Sequence, residues 1–158
     1  MINTYILQKN SPLWEKAAQF AEGCSWRAGS ELARLMREGA FSENEAVILA
    51  MEGQRFAGFC TLTKKDCCPE ELPYSPFVGF VFVDEAFRGR RLSEKMIHTA
   101  ADLASDLGFG EIFLISGEVG LYEKLGFTKL SQITTVYGET EQLFVMKIGG
   151  NNGEIRSL

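Results

Sequence analysis

Apolar residues recur along this chain in two rhythms, one near every second position and one near every third or fourth, and the switches between them mark its elements. Residues 2–8, INTYILQ, suit a short first strand. In SPLWEKAAQFAEG, Leu13, Ala17, Phe20 and Ala21 share one helical face. Ser11 is placed to cap that helix, Pro12 to open it and Gly23 to stop it. A second helix is expected after Ser30, turning Leu32, Leu35 and Met36 inward and ending at Gly39. The runs AVILAM (46–51) and RFAGFCTLT (55–63) read as strands joined through Glu52, Gly53 and Gln54, a hairpin signal. Residues 64–76, with Pro69, Pro73 and Pro76, read as a loop.

The second half is patterned more plainly. FVGFVFV (77–83) shows no polar alternation and is expected as a central strand buried on both faces. From Ser93 to Leu107, Met96, Ile97, Ala100, Ala101, Ala104 and Leu107 form a stripe of helical period, closed by Gly108. EIFLIS (111–116) is the next strand, and strand, helix and strand together make a parallel unit with a right-handed crossover. A short helix (120–125) ended by Gly126 follows, then TKLSQITTVYG and EQLFVMKI as an antiparallel pair. The expected order is β-α-α-β-β-β-α-β-α-β-β, a mixed α/β sheet.

Composition narrows the class without naming a function. At 158 residues the chain suits one domain, taken as 1–148, with a flexible tail at 149–158. No run of eighteen apolar residues occurs, and MINTYILQKNSPLW lacks the layout of a secretory leader, so a cytoplasmic protein without a membrane partner is expected. The net charge of −5 provides no general positive field for nucleic acid. Cys24 and Cys60 sit among apolar residues and are expected to be buried thiols. Cys67 and Cys68 are adjacent, the wrong spacing for a zinc knuckle, and no metal site is expected.

Against that acidic background, residues 84–96 read DEAFRGRRLSEKM, directly after the apolar strand. Ligands of open α/β sheets gather beyond the carboxyl ends of parallel strands, and a helix N-terminus exposes unpaired N–H groups that suit an anion. The helix dipole alone contributes only about 0.3–1 kcal/mol. Arg88, Arg90 and Arg91 add guanidinium forks for phosphate oxygens, and Gly89 lets the backbone turn and approach closely. The plain alternative is a solvated loop whose arginines pair with Asp84, Glu85 and Glu94.

The half-chain containing this loop resembles the GNAT superfamily of acetyltransferases. That family's pyrophosphate loop, Gln/Arg-x-x-Gly-x-Gly/Ala, stands between a buried strand and a helix, where this chain has Arg88-Gly89-Arg90-Arg91-Leu92-Ser93. LYEKLGF (121–127) is similar to the family's second signature, and the resemblance covers roughly residues 45–148. Arg91 stands where the family has its middle glycine, so the loop is expected to keep ordinary helical geometry there. Ile115 or Ser116 stands in place of a family asparagine.

The resemblance implies a mostly antiparallel sheet with one parallel pair splayed to hold coenzyme A, and helices on both faces. It also implies acetyl-CoA as co-substrate, backbone groups near Val81 and Val83 pairing with the pantetheine amides, and Gly89–Ser93 amides on the pyrophosphate. By its place in LYEKLGF, Tyr122 would be the general acid for the departing thiolate. Presenting a neutral amine of pKa near 10.4 at pH 7 costs about 4.6 kcal/mol, so the enzyme must lower that pKa by desolvation or provide a base; Glu118 and Glu85, which follow the two strand ends, are the candidate bases.

The expected reaction is acetyl transfer from acetyl-CoA directly to a primary amine of a small molecule, amino acid or peptide. The expected state is monomer or homodimer. A non-catalytic acyl-CoA sensor is the alternative; a nucleotide-binding domain fits poorly because no G-x-x-x-x-G-K-[ST] loop occurs. Trp14, Trp26, Phe41 and Tyr74 are candidates to line the acceptor site.

Overall fold

The computed structural model describes residues 1–149, so all of the expected tail except Gly149 lies outside the described residues. The elements are β1 (Ile2–Leu7), α1 (Trp14–Gly23), α2 (Ala28–Arg37), β2 (Ala46–Glu52), β3 (Arg55–Thr63), β4 (Phe77–Val83), a 3₁₀ turn (Glu85–Phe87), α3 (Leu92–Asp106), β5 (Glu111–Ser116), α4 (Leu121–Lys124), β6 (Thr128–Thr134) and β7 (Thr140–Lys147). They build a mixed seven-stranded sheet of order β1-β2-β3-β4-β5-β7-β6. Pairing is antiparallel for β1–β2, β2–β3, β5–β7 and β6–β7, and parallel for β4–β5 at Phe77↔Phe113 and Val78↔Leu114. No helix among the described residues is long and apolar enough to cross a membrane.

The backbone divides into two compact units. The first takes Met1–Leu62 and Phe80–Ala100, the second Thr63–Gly79 and the chain from Ala101 onward.

In the first unit, α1 and α2 pack on the sheet through Trp14, Ala17, Ala18, Ala21, Leu32, Ala33 and Met36, against Val47, Leu49, Phe59 and Phe82. Burying a Leu, Met or Phe side chain contributes about 1.5–3 kcal/mol, which is why this apolar stripe forms helices of modest length. Gly29 sets how closely they meet. A Cβ there would stand 2.1 Å from the Ala21 carbonyl oxygen and 2.6 Å from Cys24 Sγ, so only glycine fits.

The expected start of α1 needs correction. Ser11 Oγ accepts from Gln8 N at 2.9 Å instead of capping the helix, which begins at Trp14 with no side-chain cap. The second helix starts at Ala28, ahead of Ser30, and Leu107 lies exposed just past the end of α3.

The second unit has its own smaller core of Cys68, Phe77, Phe113 and Leu143, with Leu72, Tyr74, Ile115, Ile133 and Val145 packed around it. Lys65 holds the 64–76 loop in place by donating to the carbonyls of Leu72 and Tyr74. The thiols depart from expectation accordingly: Cys68 in the polar stretch is buried, whereas Cys24 is only half-buried.

Candidate functional site

Within the first unit, β4 ends in a sequence of tight local contacts. Asp84 N donates to the Ala57 carbonyl at 2.8 Å, and the Asp84 side chain accepts from Ala86 N at 3.1 Å, capping the 3₁₀ turn. That turn drives Phe87 into the interior, only 2% exposed. The chain then leaves as an exposed loop, Arg88 to Arg91, before α3 begins at Leu92.

The loop departs from the geometry expected of it. Gly89 has φ 84° and Arg91 has φ 58°, both left-handed. Nothing stands within 4 Å of a Cβ built on Gly89, so the chain passes it in open space. A left-handed arginine costs roughly 1–2 kcal/mol, since its Cβ crowds the following carbonyl. Left-handed residues interspersed with ordinary ones form concave rows of amides that bind anions. Lys95 N makes the first helical bond, to the Arg91 carbonyl at 3.2 Å, so the amides of Leu92, Ser93 and Glu94 lie ahead of the helical ladder. Arg91→Gly should relieve the left-handed strain and raise stability by about 1 kcal/mol, roughly 2–4 °C in melting temperature. An unchanged or lower melting temperature would refute the strain.

The arginines are not absorbed by the carboxylates beside them in sequence. Arg88 Nε donates to the Val83 carbonyl at 3.1 Å. Arg90 pairs with Glu52 at 3.2 Å, while Arg91 meets Glu94 only at 3.9 Å. Exposed pairs of that kind contribute about 0–1 kcal/mol. Asp84 is committed to the turn, and Glu85 is an exposed residue of it. Val81 and Val83 are half-buried, so the end of β4 is more open than a strand buried on both faces. Phe80, beside them, has φ 48°, a strained conformation for a bulky residue and of the kind held at functional sites.

Two of the four aromatics considered for an acceptor site belong to the core: Trp14 and Phe41 are buried and meet edge to face at 5.2 Å. Trp26, between α1 and α2, is 36% exposed and lies parallel to Phe82, with ring centroids 6.1 Å apart. Phe59 and Phe80 complete its surroundings.

Within the second unit, β5 ends at Ser116, and the exposed Glu118 follows. Glu118 N donates to Ser116 Oγ at 3.0 Å, and its carbonyl accepts from Gln142 Nε2 at 2.8 Å, which fixes the turn into α4. Tyr122 in α4 is 6% exposed. Its ring packs on Phe127 and Phe144 at 6.0 and 5.8 Å between centroids. Tyr74 packs on Phe113 at 5.0 Å.

One titratable group here escaped the sequence reading. Asp66, in the polar stretch KKDCCPE, has its proton affinity pushed up to about 6 by burial and, less strongly, by the charge of Glu141. Its Oδ1 accepts from Cys67 N at 2.8 Å. Burial, with Asp66 and Glu141 beside it, likewise pushes the Cys67 thiol up to about 12, so it stays protonated. No sequence signal marks Asp66, because the Val136 amide that ties down the Cys67 carbonyl at 2.8 Å comes from far along the chain.

Comparison with known proteins gives a consistent picture. The model of the acetyltransferase (GNAT) family matches residues 11–127. No curated protein matches the sequence. Among solved structures, aminoglycoside 6'-acetyltransferase type Ii superposes with a TM-score of 0.70 at 12% identity, covering 92% of this chain and 96% of that one. The spermidine/spermine N-acetyltransferase SpeG from Vibrio cholerae gives 0.63 at 14% identity, with both chains covered in full at 100%. A GNAT family acetyltransferase from Elizabethkingia anophelis, crystallised with acetyl-CoA bound, gives 0.64 at 13% identity, covering 93% of this chain and 98% of that one. At such identities the structures share the fold.

Proposed function

Because this chain belongs to the GNAT family of acetyltransferases, we propose that it is an N-acetyltransferase moving an acetyl group from acetyl-CoA directly to a primary amine. Residues 1–148 would act as one catalytic domain. The observation that carries the reading is the loop from Arg88 to Ser93, where left-handed Gly89 and Arg91 lead into the unladdered amides of α3. These residues fit a diphosphate: the backbone offers donors, Arg88 has no ion-pair partner among the described residues, and Arg91 has only the long 3.9 Å pair with Glu94 to displace. Backbone groups of Val81 and Val83 would pair with the pantetheine amides, the Val83 carbonyl being shared with Arg88.

When bound, acetyl-CoA supplies an activated acyl group with a thiolate leaving group. Tyr122 would donate its phenolic proton to that sulfur. Glu118 or Glu85 would take the proton of the acceptor amine, directly or through water. Two of the structural neighbours are named for polyamine and aminoglycoside acetylation, which favours a cationic amine acceptor in this acidic chain. Trp26, exposed above the buried Phe82 and Phe59 rings, offers an aromatic face to such an acceptor.

Thermal unfolding with acetyl-CoA and, separately, ATP tests the reading. At 100 times its dissociation constant a ligand adds about 2.7 kcal/mol, a shift of several degrees. Acetyl-CoA should produce it and ATP should not. No shift with any coenzyme A thioester would refute the proposal. Release of free thiol across a panel of amines then separates an enzyme from a silent binding module.

A further inference from the structure

Phe87 carries two guanidinium groups over one ring. The Arg55 Cζ lies 4.8 Å from its centroid and the Arg90 Cζ 5.3 Å. Each such contact is attractive, yet the two cations repel one another. A carboxylate offsets only one of them: Glu52 reaches Arg90 at 3.2 Å, and among the described residues Arg55 has no ion-pair partner.

Phe87 is buried by the turn that Asp84 caps, and Arg55 opens β3 opposite Glu52 at the β2–β3 hairpin. Two planar forks thus lie over one buried ring, next to the loop read above as the diphosphate site. A phosphate monoester would relieve the repulsion and accept from both forks.

We infer that Arg55 and Arg90, stacked on Phe87, form a second anion subsite that holds the 3′-phosphomonoester of coenzyme A. This rests on the acetyl-CoA reading, since the same ligand carries a diphosphate and a separate phosphate on its adenosine. Arg55 is then a determinant of the choice between coenzyme A and its 3′-dephospho form.

Calorimetric titration of the full chain with coenzyme A and 3′-dephospho-coenzyme A, for the wild type and Arg55→Ala, decides the matter. The wild type should prefer coenzyme A by about tenfold or more, the scale of a charge-assisted pair. Arg55→Ala should lose that preference while binding 3′-dephospho-coenzyme A as before, which also shows the variant to be folded. If Arg55→Ala proves unstable, Arg55→Met, which keeps an apolar stem over Phe87, is read in its place. Equal weakening for both ligands, or a wild type without preference, would overturn the subsite and leave the acetyl-CoA reading standing. A wild type that binds neither ligand would overturn both.

Discussion

Tyr122→Phe is expected to lower turnover by about 10²-fold or more while changing affinity for coenzyme A less than about twofold. The substitution removes one hydroxyl and keeps the ring, so the packing on Phe127 and Phe144 persists. Tyr122→Ala would be a poorer test, because deleting a buried aromatic costs about 3–5 kcal/mol and would confound chemistry with unfolding. A thiolate can leave without a donor, which is why the expected loss is large but not total. Steady-state kinetics beside calorimetric titration separate the possibilities. Unchanged turnover would retire the phenol as general acid. A fall in melting temperature matching the fall in activity would mark Tyr122 as a packing residue.

The reading from sequence held where chemistry is local in the chain. β3 and β5 fall at 55–63 and 111–116, where the apolar-rich stretches RFAGFCTLT and EIFLIS stand between turn residues. Gly53 and Gln54 sit between Glu52 and Arg55, which pair across the expected hairpin. The family was legible for the same reason, since AFRGRRLS and LYEKLGF are short contiguous stretches. The reading failed where a competing partner lies elsewhere. Ser11 looks like a helix cap, but its hydroxyl meets Gln8 N first, and the helix starts later. Arg91 was expected to avoid the left-handed region because it carries a Cβ; there the turn into α3 overrides a local cost of a kilocalorie or two. Arg55 could not have been grouped with Arg90, as their meeting on Phe87 requires a hairpin and a capped turn to converge. Cys68 has polar neighbours in sequence, yet in space it lies with Phe77, Phe113 and Leu143.

Asp66 carries the clearest pH dependence of stability in the second unit. Its pKa rises from an ordinary 3.8 to about 6 because burial, and secondarily Glu141, penalise the charged form. The folded chain therefore binds this proton more tightly than the unfolded chain does. The sign follows from linkage: between about pH 4 and 6 the native state holds more protons, so stability falls as pH rises. The penalty is absent below that window and complete above it. Two pKa units correspond to roughly 3 kcal/mol, and since part of Asp66 still reaches water, about 1–3 kcal/mol is expected. Asp66→Asn removes the charge, retains an oxygen that can accept from Cys67 N, and replaces repulsion from Glu141 with an amide that can donate. The variant should melt about 3–8 °C above the wild type at pH 8, and the gap should close near pH 4. Comparing the two proteins at each pH cancels the titration of every other carboxylate. A variant less stable than the wild type at pH 8 would show that the ionised Asp66 is held by favourable contacts, and the burial argument would fall.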